Sequence, residues 1–210
     1  MAIADRRERE RQEIRRKILD AARELFAREG FEQVTMRRIA EAIEYSPTTI
    51  YLHFKDKDEL VRSLCETDFA RLLAAFEAAK PPKDPVEAIR RIGLAYARFG
   101  LENPNHYRFM FMTPMTPKPA PQDPDDMGDG AYGYLLQAVK RAMAEGSLRR
   151  DDAEAVSQVL WASVHGAVAL LVTFGRDGNP RHPWAKDFIE RVVNTAIRGL
   201  VVTPRKARRR

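Results

Sequence analysis

With 210 residues, 44% of them apolar and 31% charged, the chain can bury a sizeable core as one or two domains. Its single cysteine, Cys65, excludes an internal disulfide and points to a reducing, cytoplasmic compartment, and Met1 to Glu13 lacks the apolar core of a secretory signal. The net charge of +6 is not by itself a nucleic-acid signature, because thirteen Lys or Arg cancel thirteen Asp or Glu in residues 1–60 and most of the excess follows Pro204.

Glycine and proline punctuate the chain, and no run alternates as a strand would, so an all-α fold is expected. Asp5 to Lys17 is a charge-dense lead into the first helix. Ile14, Ile18, Ala21, Ala22, Leu25 and Phe26 then recur as one buried stripe, and Gly30 supplies a stop. Arg6, Arg7, Arg9 and Arg11 suit phosphates or a minor groove, while Glu8, Glu10 and Glu13 make a solvated helix end an equal reading.

Next comes a helix, a tight turn and a second helix. Thr35 has the side chain of an N-cap, and Ile39, Ala40 and Ile43 follow at helical spacing. Glu44-Tyr45 is the turn; Ser46-Pro47 restarts the chain with a cap and a proline where a missing amide is harmless. The second helix is expected from Pro47 to about Phe54, with Ile50 and Phe54 inward and Thr48, Thr49, Tyr51, Leu52 and His53 over its other faces. Small hydroxylated and aromatic residues suit a major groove: Thr offers a hydroxyl and a methyl, and Tyr a phenol for phosphate.

Thr35, Ile39-Ala40, Ser46, Ile50-Tyr51, Phe54, Lys55, Lys57 and Leu60 together resemble the TetR-type transcriptional regulators over about the first quarter of the chain. Glu44 departs from that pattern, which usually has glycine at the turn, so the turn's backbone must be one that a non-glycine residue allows, or carry strain. The resemblance implies a three-helix, helix-turn-helix DNA-binding domain over 1–60, a linking helix over about 57–80, and a larger helical ligand-binding and dimerisation domain over 81–203. It implies DNA contacts from Thr35, Arg37, Arg38, Ser46, Pro47, Thr48, Thr49, Tyr51, Leu52, His53, Lys55 and Lys57, with Arg37 reaching a base edge or phosphate. The linking helix starts after Asp56, carries Leu60, Val61, Leu64, Leu72, Leu73 and Phe76, and ends at Pro81-Pro82.

Five more helices are expected over 85–203. Pro85 to Leu101 places Ile89, Ile92, Gly93, Tyr96, Phe99 and Gly100 on one side; Asn105 to Met112 is a compact run rich in aromatics and methionine; another helix lies near Tyr132 to Glu145. Tyr96, Phe99, Tyr107, Met110, Phe111 and Tyr134 read as ordinary core or as the wall of a small-molecule site, and the resemblance favours the second. Residues 113–130, with five prolines, form a long loop, either a mobile flap or disorder.

Val156 to Gly175 has no charged residue and is long enough to span a membrane, yet Gln158, His165, hydroxyls and glycines dilute it, so it is expected as a buried helix. Trp161, His165 and Gly166 resemble the Trp-His-Gly signature of one subclass; His165 is either a ligand contact or a satisfied core histidine. No histidines stand at metal-ligand spacing, no nucleophile-base pair is visible, and neither cofactor nor catalytic residue is expected. Trp184, Phe188, Val192, Ala196 and Leu200 form one row, with Ile189, Val193 and Ile197 beside it, which suggests a symmetric four-helix homodimer interface. Residues 204–210 are a basic tail, expected to stay disordered. The resulting expectation is a homodimeric repressor that binds palindromic, or nearly palindromic, double-stranded operator DNA and is released by an unidentified small apolar or aromatic effector, with no membrane partner. A regulator without an effector and a helical enzyme using the same cavity are the alternatives.

Overall fold

Helix ends in this protein are set by local chemistry, and the helix faces by what they bury. The computed structural model describes residues 2–80, 82–114, 130–174 and 183–202. Their helices are α1 Ala2–Glu29, α2 Met36–Ala42, α3 Pro47–Tyr51, α4 Lys57–Ala78, α5 Pro85–Glu102, α6 Pro104–Tyr107, α7 Ala131–Ala144, α8 Ala153–Phe174 and α9 Pro183–Arg198. A π-helical turn, Arg108–Met112, follows α6. Most of the expected 113–130 loop and the basic tail lie outside the described residues.

The chain divides into two compact units, Met1–Phe69 with Asn105–Pro121, and Ala70–Pro104 with Gln122–Arg210. The division falls inside α4, the expected linking helix, and the run after α5 groups with the first unit. The reason is burial: Phe109 is fully buried and stacks on Phe26 with ring centroids 5.9 Å apart.

In the first unit, Ile18, Leu19, Ala22, Leu25 and Phe26 form the inward face of α1, while Ile14 and Ala21 lie half-buried at its margin. Gly30, at φ +85°, ends α1 by returning its N–H to the Phe26 carbonyl at 3.1 Å. Val34, Ile39, Ala40, Ile50, Phe54, Leu60 and Leu64 complete the core. Burying each such large side chain is worth about 1.5–3 kcal/mol. One ionic cluster sits among them. Arg23, 4% exposed, donates from Nε and Nη2 to the two oxygens of fully buried Asp68 at 2.9 and 2.8 Å, and His106 Nδ1 lies 2.9 Å from the same carboxylate.

In the second unit, Asp84 caps α5 by accepting from the amides of Val86 and Glu87, with Pro85 at the first helical position. α5, α7, α8 and α9 pack together. Gly93 lets α9 come close, since a Cβ there would stand 3.3 Å from a Val193 methyl. α7 stops at Gly146, φ +74°. The residues after α9 return to the α7–α8 connection through Val202 N–H to Ser147 and Arg149 N–H to Leu200.

Within the single chain α8 is buried along one side. Val156, Leu160, Val164, Ala167, Val168, Leu171 and Val172 are buried, but Val159, Leu170 and Phe174 are 57, 54 and 77% exposed. By length and composition it is one helix, among the described residues, that could cross a membrane.

Candidate functional site

The helix-turn-helix is built almost entirely from capping. Thr35 Oγ1 accepts from the Arg38 amide at 3.1 Å and starts α2. At its other end, Tyr45 N–H reaches the Ala40 carbonyl and Glu44 N–H the Glu41 carbonyl, a Schellman arrangement that puts Glu44 at the left-handed position, φ +60°. The departure from glycine at this turn is thus met by a strained glutamate, not by a different turn. Ser46 Oγ then accepts from the Thr49 amide at 3.2 Å and lies 3.0 Å from the Thr49 hydroxyl. Pro47 begins α3.

α3 is shorter than expected. It ends at Tyr51, and His53 and Phe54 continue as a turn, both donating to the Ile50 carbonyl. Ile50 and Phe54 are buried as expected, 0 and 1% exposed, and fix the helix against the core. The outer face carries Pro47, Thr48, Tyr51, Leu52 and Lys55; Tyr51 is 55% and Leu52 73% exposed. Thr49 and His53 are half-buried. His53 Nδ1 is buried without a hydrogen-bond partner, and burial, aided by nearby Arg11 and Arg15, holds the imidazole below its usual pKa.

The cationic residues separate into outward and engaged groups. Arg37 is exposed and pairs with Glu41 at 3.1 Å; Arg38 pairs with Glu29 at 3.2 Å. Lys57 is half-buried: its ammonium donates to the Phe31 carbonyl and lies 3.9 Å from the Phe31 ring centroid, and desolvation lowers its pKa. An ammonium has three donors, so this engagement leaves others for phosphate. Arg6, Arg7, Arg9 and Arg11 are exposed along α1, which runs as helix from Ala2, with Arg6 paired to Glu10 at 3.5 Å.

The eight candidate ligand residues fall in both units. In the second, the Tyr96 hydroxyl and His165 Nδ1 are 2.8 Å apart, and the Trp161 and His165 rings have centroids 5.1 Å apart. Burial alone lowers the His165 pKa. Phe99 is buried on α5, and Tyr134 on α7 faces Phe76 at 6.0 Å. In the first unit, Tyr107 is fully buried 5.2 Å from Phe111, whose ring stands edge-on to Phe69, and Met110 is buried beside them on the π turn. Of the dimer candidates, Trp184 is 36% exposed and 5.6 Å from Phe188, while Phe188, Val192 and Ala196 are half-buried; the adjoining Ala185, Ile189, Val193 and Ile197 are the buried row. Among the described residues no group of His, Cys, Asp and Glu is placed to hold a metal.

Sequence reasoning missed two features. Asp68 stands in the row Leu60, Leu64, Asp68, Leu72, Phe76, at steps of four, and an acid in an apolar row announces a buried partner. Arg15, hidden in a charge-dense segment, touches the chain after α3 at His53 and Phe54 and α4 at Ser63.

Comparison with known proteins adds to this geometry. Residues 18–64 match the family model for bacterial regulatory proteins of the tetR family, and residues 89–196 match the tetracyclin repressor-like C-terminal domain. The chain is 36% identical over 87 residues to the HTH-type transcriptional regulator UidR of Escherichia coli K12, which spans 41% of either protein. It is 32% identical over 167 residues to the HTH-type transcriptional repressor AcnR of Corynebacterium efficiens, covering 76% of this chain and 82% of that one. The fold is similar to that of the TetR family regulator PfmR from Thermus thermophilus, with a TM-score of 0.69 and 23% identity over 89% of this chain and 96% of the other.

Proposed function

The chain belongs to the tetR family of bacterial regulatory proteins, and from that premise we propose that it is a cytoplasmic transcriptional repressor that binds an operator as a homodimer and leaves it when a small apolar or aromatic ligand binds. One observation carries the DNA half of this reading: α3 is locked inward by Ile50 and Phe54 while Thr48, Tyr51, Leu52 and Lys55 stand outward on a single face. Hydroxyls and the phenol suit phosphates and base edges, and Leu52 suits a thymine methyl. Thr35, Ser46, Pro47, Thr49 and His53 surround that face, and Arg37, Arg38, Lys55 and Lys57 add cations for the backbone. Two such faces related by a two-fold axis require half-sites about 34 Å apart, hence a palindromic or nearly palindromic operator.

The ligand half rests on Tyr96, Trp161 and His165, where Tyr96 of α5 and Trp161 of α8 flank the hydrogen-bonded imidazole of His165. Trp161, His165 and Gly166 are the residues that resemble the Trp-His-Gly subclass. Ligand and DNA favour different members of one conformational ensemble, coupled by about 1–3 kcal/mol in both directions. We assign no catalytic or cofactor role.

Selection of binding sites from a randomised duplex pool tests the DNA reading. Enrichment of an inverted repeat is expected, and Tyr51→Phe and Lys57→Ala should weaken binding to selected and scrambled duplexes alike. Lys57→Ala should also flatten the plot of log affinity against log salt by about 0.9 for each phosphate it no longer neutralises. A pool that enriches nothing would refute the proposal.

A further inference from the structure

α3 is too short to hold its own shape. Helices shorter than about 12–15 residues are marginal in water, and this one has five. Its N-terminus is secured by Ser46 and Pro47, but its C-terminal end carries no glycine and no side-chain cap of its own. The chain leaves through Leu52, His53 and Phe54, which hang on the carbonyls of Thr48 and Ile50.

One guanidinium occupies that exit. Arg15 Nη1 donates to the His53 carbonyl at 3.0 Å, Nη2 donates to Ser63 Oγ at 2.8 Å, and the carbon between them lies 4.2 Å from the centroid of the Phe54 ring. It therefore ties α1, the end of α3 and the first turns of α4. A planar fork is needed for this: it makes two divergent hydrogen bonds while its face lies on an aromatic ring, which a point-charged ammonium cannot do. A cation at a helix C-terminus is also favoured by the carbonyl dipoles.

We propose that Arg15 is a positioning residue for sequence recognition, holding the Tyr51–Leu52 end of α3 in its reading orientation without itself binding phosphate. The proposal rests on the reading of α3 as the element that faces DNA. A phosphate contact adds affinity for any duplex and steepens the salt dependence. A positioning residue acts instead on the difference between the right sequence and the wrong one.

The test uses the full chain, the duplex selected by the wild-type protein and a scrambled duplex of equal length. Arg15→Lys keeps the charge and loses the fork. It should bind the selected duplex about ten-fold more weakly and the scrambled one within about two-fold, with an unchanged salt slope. Amide exchange of Leu52, His53 and Phe54 should quicken while the rest of the first unit keeps its protection. Ser63→Ala removes one arm and should lose about three-fold in the same selective manner; it carries the test if Arg15→Lys fails to fold. Equal losses on both duplexes with a shallower slope would make Arg15 a phosphate ligand and overturn the proposal. Uniformly faster exchange across the first unit, or no selective loss in Ser63→Ala, would overturn it as well. Wild-type protein that enriches no sequence refutes the DNA reading itself, a failure visible before any variant is made.

Discussion

The outward face of α3 and the outward faces of α8 and α9 both expose large apolar side chains, yet they are different kinds of surface. On α3, Tyr51 and Leu52 stand among Thr48 and Lys55 on a helix of five residues. On α8, Val159, Leu170 and Phe174 are outward on a helix of 22 residues, and on α9 the row from Trp184 to Leu200 is only partly covered by its own chain. Mixed hydroxyl, aromatic and cationic groups suit a polyanion with methyl-bearing edges, whereas continuous apolar rows suit another protein surface. The support beneath differs too. The first unit combines capped helix ends with an ionic cluster buried between α1, α4 and α6; the second buries aliphatic and aromatic side chains of α5, α7, α8 and α9.

That contrast is broken most severely at Asp68. Removing its carboxylate leaves the Arg23 guanidinium, 4% exposed, with only the solvent-exposed Asp20, 2.8 Å from Nη1, as counter-charge, and losing one member of a buried pair typically costs about 3–5 kcal/mol. Asp68→Ala should therefore lower the denaturant midpoint of the first unit strongly, while Arg23→Met with Asp68→Leu should recover most of it. A loss below about 1 kcal/mol would mean that apolar packing alone supports both units.

The second unit is tested at α9. Phe188→Glu or Val192→Glu puts a charge into the proposed dimer face and should weaken self-association roughly 100-fold, about 2.7 kcal/mol, with specific DNA binding lost alongside. Sedimentation at micromolar concentration reads the outcome. Dimers that survive either change would place the interface elsewhere.

The same contrast explains what is legible in the sequence. Thr35, Ser46, Pro47 and Gly30 act on amides or carbonyls within a few residues, so the helix-turn-helix can be read from spacing. Arg23 and Asp68 are 45 positions apart, and Asp68 and His106 are 38 apart, so their meeting depends on packing that no local pattern encodes. The run after α5 reads as a cluster of aromatics, but its place with the first unit is decided by the Phe26–Phe109 stack. For α3 the spacing predicts a helix three residues too long, because Ile50 and Phe54 are four apart and both inward, a spacing that a turn satisfies as well as a helix.

Acid should act on both units through histidine. Burial lowers the pKa of His53 in the first and His165 in the second, so the unfolded chain takes up protons near the ordinary value of 6.5 while the folded chain still resists. Stability is then fully present above that pH and falls as the solution is acidified, by at most about 1.4 kcal/mol per pH unit for each proton. Urea midpoints at pH 7.5 and 5.5 measure this. His165→Gln and His53→Gln should each flatten the dependence by its own share; a variant as acid-sensitive as the wild type would clear that histidine of any role.

The smallest effect belongs to Glu44, and it probes the caps that distinguish the first unit. A non-glycine residue in the left-handed region carries about 1–2 kcal/mol of strain, and Glu44 at φ +60° occupies that position because the Schellman hydrogen bonds of Ala40 and Glu41 demand it. Glycine removes the strain but enlarges the entropy lost on folding by about 0.5–1 kcal/mol, so Glu44→Gly should gain roughly 0.5–1 kcal/mol, seen as a higher urea midpoint with an unchanged slope. The substitution also removes a carboxylate, and Glu44→Ala separates the two causes, since alanine loses the charge and keeps the strain. Asparagine, which tolerates this conformation, should gain part of what glycine gains. If alanine stabilises as much as glycine, the effect is electrostatic and the turn is relaxed as it stands.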